Sequence, residues 1–371
     1  MADLSFLNNN LMSRPIHTLI DLSTLEHNLS IGRQFAPHSR IMAIIKANAY
    51  GHGLLHTAKA LRQADGFAML EPDAAISLRQ AGYQHPILLL EGFFSMTELA
   101  LFKQYNLTAV IHHKEQLSML AASKDDELDV FIKINTGMNR LGFAPTEFSQ
   151  ALLSLESNPT VKQISLMTHF ANADDLTKAS SVGDQLQCFN TTTTGLNYPR
   201  SLAHSAAIIH HPETHLDWIR PGLLLYGASP SSEKTAQALG LRPAMTISSK
   251  LIAIQNLKTG DRVGYGGRFQ ASRSMRIGIV AGGYADGYPR HAFSGTPILV
   301  NGQRTHTLGL ASMDMLAIDL SHIENTQLGS TVTLWGKGLP VEEIAHAAGT
   351  ISYELLCAMA PRVESIIQEE K

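Results

Sequence analysis

The sequence predicts an α/β protein with an N-terminal (β/α)8 TIM-type barrel and a C-terminal, mainly antiparallel β domain. From about residue 17 to residue 227, short apolar runs alternate with amphipathic segments, as in repeated βα units around a parallel sheet. Beyond Ser231 the helical periodicity fades, and apolar runs follow one another between Gly and Asn turns. We therefore expect an N-terminal segment over 1–16, the barrel over 17–230 and the β domain over 231–371.

The barrel strands are predicted from nine short apolar runs, bounded by turn residues or amphipathic stretches. They cover residues 17–22, 41–45, 67–70, 86–90, 109–112, 130–134, 164–169, 201–204 and 216–220. The segments between them predict helices over 23–35, 54–63, 72–80, 97–105, 115–122, 146–155, 182–190 and 206–210. Since eight parallel strands close a barrel of roughly this size, one run is surplus. We assign the surplus to the first run, which we expect to pair outside the barrel, with the β domain.

The strands of the β domain are predicted from four apolar runs, separated at short intervals by Gly and Asn turns. The runs cover residues 251–254, 277–280, 298–300 and 332–335. Two helical segments, over 341–348 and about 353–359, close the chain.

Composition and charge exclude several classes of protein. The 371 residues carry 29 Lys and Arg against 32 Asp and Glu, so we expect neither nucleic acid nor a membrane surface as a partner. Cys188 and Cys357 are the only cysteines, which argues against a disulfide framework. Three asparagines, 8–10, interrupt any signal-type apolar core near the N-terminus. These features predict a cytoplasmic protein.

Lys46 follows directly after the apolar run 41–45 and precedes a loop rich in small residues. A run of this kind is typical of a strand buried on both faces, and the C-terminal ends of barrel strands carry the active site. A partly desolvated lysine there is suited to Schiff-base chemistry. The alternative is a solvated lysine at a strand end, which these residues alone favour.

Polar side chains recur at the ends of the predicted barrel strands. Lys46, Arg140, His169, Ser205 and Arg220 fall at such positions, so they are expected on one face of the barrel. Cations gathered on one face describe a pocket for a phosphate and a carboxylate. Ser205, together with the backbone N–H groups near Gly222 and Leu223, is suited to bind the phosphate. For each residue alone, a solvated loop position remains the alternative.

The β domain contributes tyrosines embedded in glycine-rich turns. Tyr265 lies in Gly264-Tyr265-Gly266, and Tyr284 lies in Gly283-Tyr284-Ala285-Asp286-Gly287. Such turns allow close backbone approach and project a phenol, although they could serve only as turns. The spacing of His211 and His215 does not predict a zinc site, because Pro212 interrupts a helix there.

From about Ile20 to Arg362 the chain resembles the alanine racemases, which are pyridoxal-phosphate enzymes with a barrel domain. The stretch 43–53, AIIKANAYGHG, resembles the family's cofactor-lysine signature. The remaining motifs follow in the family's order and spacing: 133–140, 220–222 ending at 226–227, 264–266, 283–287 and 312–314.

The resemblance implies that Lys46 carries pyridoxal 5'-phosphate as a Schiff base and acts as one of two bases. Tyr265, reaching the pocket from the partner subunit of a homodimer, would be the other. Racemisation needs two bases because the Cα proton leaves from one face of a planar intermediate and returns on the opposite face. His169 and Arg220 would support the phenol, and Arg220 would also face the pyridine nitrogen and keep it unprotonated.

The resemblance assigns the other residues of the pocket as well. Arg140 would pair with the substrate carboxylate, and Lys133 is expected to be carbamylated, so that an anion positions Arg140. Met313, also from the partner, would bind substrate, and Tyr284 and Asp314 would shape the access route and its size limit. The phosphate contacts would come from Tyr50, Ser205, Gly222, Leu223 and Tyr353. For the residues of the β domain, plain interface positions remain the alternative.

The activity implied is the interconversion of L- and D-alanine, which would supply D-alanine for peptidoglycan or serve alanine catabolism. Two departures stand out: His204 replaces the family's usual Asn, and Leu310 replaces a common Arg. Neither position is one of the two proposed bases, so these departures bear on the range of substrates.

The alternatives are a racemase of wider specificity, a barrel-type amino-acid decarboxylase, which typically has a catalytic Cys in its β domain, and a non-catalytic cofactor-binding barrel. The position of Cys357 in a helical pattern argues against the decarboxylase, and the β domain with Tyr265 argues against the barrel alone.

Overall fold

The computed structural model describes residues 14–123, 127–175 and 179–369. The predicted N-terminal segment, 1–16, therefore lies outside the described residues except for its last three. The chain divides into two compact units. One spans Leu22–Arg242, and the other combines the chain up to Asp21 with Pro243 onward. The domain limits expected at 17–230 and 231–371 stay a prediction.

Eight parallel strands close the barrel, as predicted, with β9 pairing back onto β2. Every residue of β3, β4, β5 and β9 is buried, which explains why these strands appear as continuous apolar runs. The strands are β2 (Arg40–Ile44), β3 (Gly66–Met69), β4 (Ile87–Leu89), β5 (Thr108–Ile111), β6 (Leu128–Lys133), β7 (Val161–Met167), β8 (Arg200–His204) and β9 (Trp218–Arg220).

Helices connect the strands, and most begin where the sequence indicates. Pro72 is the first residue of its helix, and Ser95 caps the next one by accepting a hydrogen bond of 3.1 Å from the Glu98 N–H. The helices of this unit are α1 (Leu22–Phe35), α2 (Lys46–Tyr50), α3 (Leu54–Ala60), α4 (Pro72–Gln80), α5 (Met96–Gln104), α6 (Lys114–Ala122), α7 (Pro145–Glu156), α8 (Ala179–Thr192) and α9 (Ser205–His210).

The first strand, β1 (His17–Asp21), lies outside the barrel. It pairs antiparallel with β10, where Ile20 is opposite Met245, and parallel with β18, where Leu19 is opposite Ile366. The surplus run is therefore a strand of the β unit, and α1, which follows without a loop, begins the barrel unit.

The β unit is built on one mainly antiparallel sheet of eight strands and a separate two-stranded hairpin. The longest strand, β10, extends well beyond the predicted run 251–254. It pairs with β17 over 247–250 and with β13 from Leu251 onward, with a β-bulge after Leu251. The strands are β10 (Met245–Leu257), β11 (Arg262–Val263), β12 (Phe269–Gln270), β13 (Met275–Ala281), β14 (Pro297–Val300), β15 (Gln303–Leu308), β16 (Met315–Asp319), β17 (Thr331–Trp335) and β18 (Glu364–Gln368). Two short helices, α10 (Val341–Ala347) and α11 (Ser352–Cys357), complete it.

Two kinds of feature are missing from the described ranges. None of the helices there has both the length and the apolarity to cross a bilayer. The same residues contain no group of three or more His, Cys, Asp and Glu side chains arranged to hold a metal ion.

Candidate active site

Lys46 stands at the C-terminal end of β2, where the backbone turns through a left-handed helical turn. Ala47, Asn48, Ala49 and Tyr50 have φ values of 53°, 52°, 55° and 49°. For residues with a side chain this conformation costs about 1–2 kcal/mol each. The turn is closed by hydrogen bonds from the Ala49 N–H to the Ile45 carbonyl (3.0 Å) and from the Gly51 N–H to the Ala47 carbonyl (3.1 Å). It directs Tyr50 inward, where the side chain is buried.

Tyr50, Ser205 and Gly222 meet in a tight cradle. The Ser205 hydroxyl oxygen accepts a hydrogen bond from the Gly222 N–H at 2.8 Å. A Cβ at position 222 would lie only 2.8 Å from the Tyr50 hydroxyl oxygen, so this approach requires glycine. Leu223, which begins a short 3-10 turn, is buried beside them. The residues that sequence analysis assigned to phosphate in the barrel thus converge at one place.

Tyr226 and His52 support this cradle, although sequence analysis gave them no role. The Tyr226 hydroxyl donates a hydrogen bond of 2.8 Å to the Ile44 carbonyl, and its ring stacks on Tyr50 with centroids 4.6 Å apart. The ring of His52 lies 4.6 Å from that of Tyr226. Both residues lie in the motifs 43–53 and 226–227, but the motifs alone did not indicate what these two side chains do.

Arg220 is a buried cation that contacts neutral groups. Its guanidinium donates to the Ser201 hydroxyl (2.6 Å) and to the Thr168 and Leu202 carbonyls (2.8 and 3.1 Å). Nη2 also lies 3.5 Å from His169 Nδ1. Burial lowers the pKa of Arg220 to about 10, so it stays charged at neutral pH. None of these contacts is a carboxylate, and a buried charge of this kind favours an anionic or acceptor ligand.

The signal for Thr168 and Ser201 was a polar residue inside an otherwise apolar strand. Thr168 follows β7, and its hydroxyl lies 2.7 Å from that of Thr136. Ser201 belongs to β8 and is fully buried. Because buried polar groups need hydrogen-bond partners, each of these residues indicated a polar contact inside the barrel, and Ser201 makes one with Arg220.

His169 and His204 form a stacked pair beside Arg220, with ring centroids 4.6 Å apart and planes inclined by 25°. Burial, with the charge of Arg220 as the next cause, lowers the pKa of His204 to about 4. Burial and the neighbouring His204 hold the pKa of His169 well below its ordinary value. Both rings are therefore neutral at neutral pH, and Arg220 is the cation of this group.

Lys133 ends β6 in the same part of the barrel. Its side chain is buried, and its pKa falls to about 8 because of burial first and the charges of Arg220, Arg140 and Lys46 next. Glu91 acts in the opposite direction and raises it. Glu91 lies outside the sequence motifs of the predicted site. Four cations thus influence one another at the C-terminal end of the barrel.

Arg140 extends from a loop with a defined conformation. The Asn135 side-chain oxygen accepts hydrogen bonds from the Gly137 and Asn139 N–H groups at 3.2 and 2.9 Å. Asn139 adopts a φ of 54°, and the Asn135 N–H donates to the Phe143 carbonyl at 2.9 Å. This loop leaves Arg140 exposed, where its guanidinium is free to pair with a carboxylate.

The donor set of the barrel unit fits a phosphate-bearing ligand with an aldehyde. Lys46 offers a primary amine, the cradle of Ser205 and Gly222 offers a close backbone approach, and Arg220 offers a permanent hydrogen-bond donor. The excess of buried positive charge matches the negative charge of such a ligand.

The remaining predicted residues lie in the β unit. Tyr265 begins a 3-10 turn, Tyr265–Gly267, within the β11–β12 hairpin, and its side chain is 81% exposed. Tyr284 and Met313 are 37% and 51% exposed, and Asp314 follows Met313 in the loop before β16. Tyr353 is half-buried in α11. The structure gathers the barrel residues and, separately, Tyr284, Met313 and Asp314.

Comparison with known proteins identifies the family. The model of the alanine racemase N-terminal domain matches residues 20–230, and that of the alanine racemase C-terminal domain matches residues 244–367. An alanine racemase from Nitrosospira multiformis is 60% identical over 356 residues, covering 96% of this chain and 100% of the relative. A catabolic alanine racemase from Salmonella typhimurium is 48% identical over 354 residues, covering 95% and 99%.

Solved structures agree with this result. The crystal structure of a biosynthetic alanine racemase from Pseudomonas aeruginosa has a TM-score of 0.93 at 43% identity, covering 96% of this chain and 100% of the other. An alanine racemase from Acinetobacter baumannii has a TM-score of 0.90 at 37% identity, again covering 96% and 100%. With matching family models over both parts of the sequence, and with relatives matched along nearly their whole length, the chain belongs to the alanine racemase family.

Proposed function

We propose that this protein interconverts L-alanine and D-alanine with pyridoxal 5'-phosphate, as a cytoplasmic homodimer. The observation that carries the proposal is that Lys46 follows β2 at the same end of the barrel as the Tyr50–Ser205–Gly222 cradle and the buried Arg220, whose hydrogen bonds among the described residues go to neutral groups. When bound, pyridoxal phosphate supplies an electron sink for the carbanion left by removal of the Cα proton.

Lys46 would hold the cofactor through its amine, and the same amine would move a proton to or from Cα on one face of the substrate. The left-handed turn after Lys46 fixes the backbone from which this side chain extends. Ser205, Gly222, Leu223, Tyr50 and Tyr353 hold the phosphate. Positioning of this kind contributes to catalysis by aligning the reacting atoms before the proton moves.

Arg220 controls the electronics of the pocket. Because a guanidinium at neutral pH has protons to donate and no lone pair to accept one, Arg220 would act as a donor to the pyridine nitrogen of the cofactor and would keep that nitrogen unprotonated. Its hydrogen bonds to Ser201, Thr168 and Leu202 fix its orientation. A weaker electron sink disfavours side reactions in which the proton is delivered elsewhere.

Tyr265 of the partner subunit moves the proton on the opposite face. A phenol has an ordinary pKa near 10, so it needs positive charge or hydrogen bonds nearby to act as a base at neutral pH. Arg220 supplies the charge. His169, which is neutral, supplies a hydrogen-bonding ring held in place by the stack with His204.

Lys133 is suited to carbamylation. With a pKa of about 8, about a tenth of the Lys133 amine is neutral at pH 7, far more than for an ordinary lysine, and the neutral amine is the form that adds to carbon dioxide. The neutral amine forms an N–C bond as one C–O π bond of carbon dioxide opens, and the nitrogen then loses a proton. Counted from the ammonium form, two protons leave and a carbamate anion replaces a cation. That anion attracts and orients Arg140, which pairs with the substrate carboxylate, while Met313, Tyr284 and Asp314 of the partner limit the size of the substrate. The D-alanine produced supplies peptidoglycan synthesis, or the reverse reaction serves alanine catabolism.

The proposal is tested by incubating the purified protein with L-alanine and pyridoxal phosphate and measuring D-alanine by a chiral assay. L-serine and L-lysine run in parallel define the substrate range. We expect racemisation of alanine, and we expect Lys46→Ala to abolish both this activity and the absorbance of the lysine-bound cofactor.

The control is Lys162→Ala, which removes an exposed lysine at the start of β7 in the same unit. It should retain the activity and the absorbance of the wild type. A covalently bound chromophore that persists in Lys46→Ala would contradict the role of Lys46. Absence of alanine racemisation by the wild type would contradict the function.

A further inference from the structure

Two loops of the β unit are joined backbone to backbone. The N–H groups of Gly282, Tyr284 and Ala285 donate to the carbonyls of Asp314, Ser312 and Met313 at 2.9, 3.1 and 3.1 Å. A Cβ at Gly283 would lie 2.2 Å from the Ser312 carbonyl oxygen, so the approach excludes any side chain at this position. The loop that carries Tyr284 and the loop that carries Met313 therefore move as one body.

A network of four charged side chains fastens this pair of loops. The buried Asp286 carboxylate accepts hydrogen bonds from Arg14 Nη1 and from Arg362 Nε, both at 2.7 Å, and from the Gly283 N–H at 2.9 Å. Arg362 Nη2 also donates to the Asp314 carboxylate at 2.7 Å. Arg14 Nη2 donates to the Asp314 backbone carbonyl at 2.7 Å. We call these residues, Arg14, Asp286, Asp314 and Arg362, the arginine clamp.

The clamp joins parts of the chain that are far apart in sequence. Arg14 precedes β1, Arg362 precedes β18, and these two strands are parallel neighbours in the sheet. The arginines therefore extend from the two ends of the described chain to the same two loops. Gly287 adds a further contact, because a Cβ there would lie 2.7 Å from the Ala358 carbonyl oxygen.

Stability alone is a poor reason for this arrangement. A buried carboxylate such as Asp286, which is 1% exposed, must recover its desolvation cost, and apolar residues of similar volume often serve a fold equally well. What the clamp holds are two exposed side chains, Tyr284 and Met313. Rigid support beneath exposed side chains is typical of residues that must stand at a fixed place to bind or exclude a ligand.

We infer that Arg14 and Arg362 are positioning residues that, through Asp286 and Asp314, fix Tyr284 and Met313 and so determine how large an amino-acid side chain the enzyme accepts. This inference rests on the proposed function, because it needs Tyr284 and Met313 to border the substrate pocket. Neither arginine is inferred to contact substrate or cofactor. Their effect is on the size of the amino-acid side chain that the pocket accepts.

The test compares L-alanine with L-2-aminobutyrate, which is one methylene larger. A pocket typically discriminates a methylene by about 10–200-fold in kcat/KM. Arg362→Met removes the hydrogen bonds to Asp286 and Asp314 while Arg14 still pairs with Asp286. We expect the ratio of kcat/KM for 2-aminobutyrate to that for alanine to rise about tenfold, which corresponds to about 1.4 kcal/mol of lost discrimination. Arg362→Lys, which can still donate to one carboxylate, should restore part of the discrimination.

Arg304→Met is the matched control, since Arg304 is another arginine of the β unit with an ion pair, to Glu343 in α10. It should leave the ratio unchanged, and melting temperatures of all variants separate loss of stability from loss of discrimination. Alanine racemisation with an unchanged ratio in Arg362→Met would overturn this inference alone. Absence of alanine racemisation by the wild type would overturn the proposed function as well.

Discussion

His52 is a buried histidine that the fold keeps neutral. Its Nδ1 donates to the Ala49 and Tyr50 carbonyls at 3.1 and 2.8 Å, and Nε2 is buried without a hydrogen-bond partner among the described residues. A proton on Nε2 would be charged and unsatisfied. Burial accordingly lowers the pKa of His52 to about 4, from an ordinary value of 6.5.

This shift predicts acid sensitivity of the fold. Between pH 6.5 and about 4 the unfolded chain binds a proton at His52 that the folded chain does not, so the free energy of unfolding falls as the pH falls. Each such proton contributes a slope of about 1.4 kcal/mol per pH unit. His52→Asn keeps a donor for the Tyr50 carbonyl but cannot titrate. We expect its unfolding free energy, measured by denaturant titration in this range, to decline less steeply with falling pH than that of the wild type. The difference in slope should approach the contribution of one proton, about 1.4 kcal/mol per pH unit.

The control for this measurement is His38→Asn, which removes an exposed histidine. Its slope should follow the wild type. If His52→Asn and the wild type decline in parallel, the assignment of a buried neutral imidazole at position 52 is wrong.

At the scale of the element, the left-handed turn from Ala47 to Tyr50 is the least expected feature of the backbone. The sequence predicted a loop after Lys46, and nothing in four residues with side chains indicates consecutive positive φ values. Strain of this kind persists where the surrounding structure determines it, commonly at functional sites. Here it brings Tyr50 beneath Gly222 and leaves Lys46 at the end of β2.

The strain can be measured with a pair of alanine-to-glycine variants. At Ala47, which is exposed, glycine relieves about 1–2 kcal/mol of left-handed strain, while the added freedom of the unfolded chain offsets about 0.5–1 kcal/mol. We expect Ala47→Gly to raise the free energy of unfolding slightly. Ala100→Gly, at an exposed position in the interior of α5, should lower it by about 1 kcal/mol. Equal losses in both variants would contradict the positive φ at Ala47.

At the scale of the whole molecule, the proposed catalytic residues are divided between the two units, with Lys46 in the barrel unit and Tyr265 in the β unit. Co-expression of differently tagged chains tests whether each site uses two subunits. A heterodimer of Lys46→Ala with Tyr265→Phe retains one intact site if the sites are shared, and about half the activity of the wild-type dimer is expected from its twofold symmetry.

The reciprocal heterodimer pairs the wild type with a chain that carries both substitutions. With shared sites each pocket then lacks one base, so we expect almost no activity. If each site instead lies within one chain, the first heterodimer should be almost inactive and the reciprocal heterodimer should retain about half the activity. The comparison needs no assumption about how either variant affects stability, since both heterodimers contain the same two substitutions.

The fold was largely predictable because most barrel strands have a recognisable sequence pattern. Buried parallel strands such as β3 and β4 are short apolar runs, and the helices between them carry recognisable signals such as Pro72. The β unit was harder. β15 begins with the exposed residues Gln303 and Arg304, and β18 is exposed along most of its length, so neither has an apolar pattern. Pairing with neighbouring strands, rather than composition, makes them strands.

The sequence by itself predicted the parallel barrel, the antiparallel β domain and the family, and it supplied the candidates for the chemically active residues. These follow from local patterns and motifs, since side-chain periodicity and residue type are properties of the chain. The tertiary structure decided what depends on long-range packing: the pairing of β1 with β18, the left-handed turn after Lys46, the neutral His169–His204 stack and the arginine clamp. Burial and charge at these places come from residues distant in sequence, and only the folded chain brings them together.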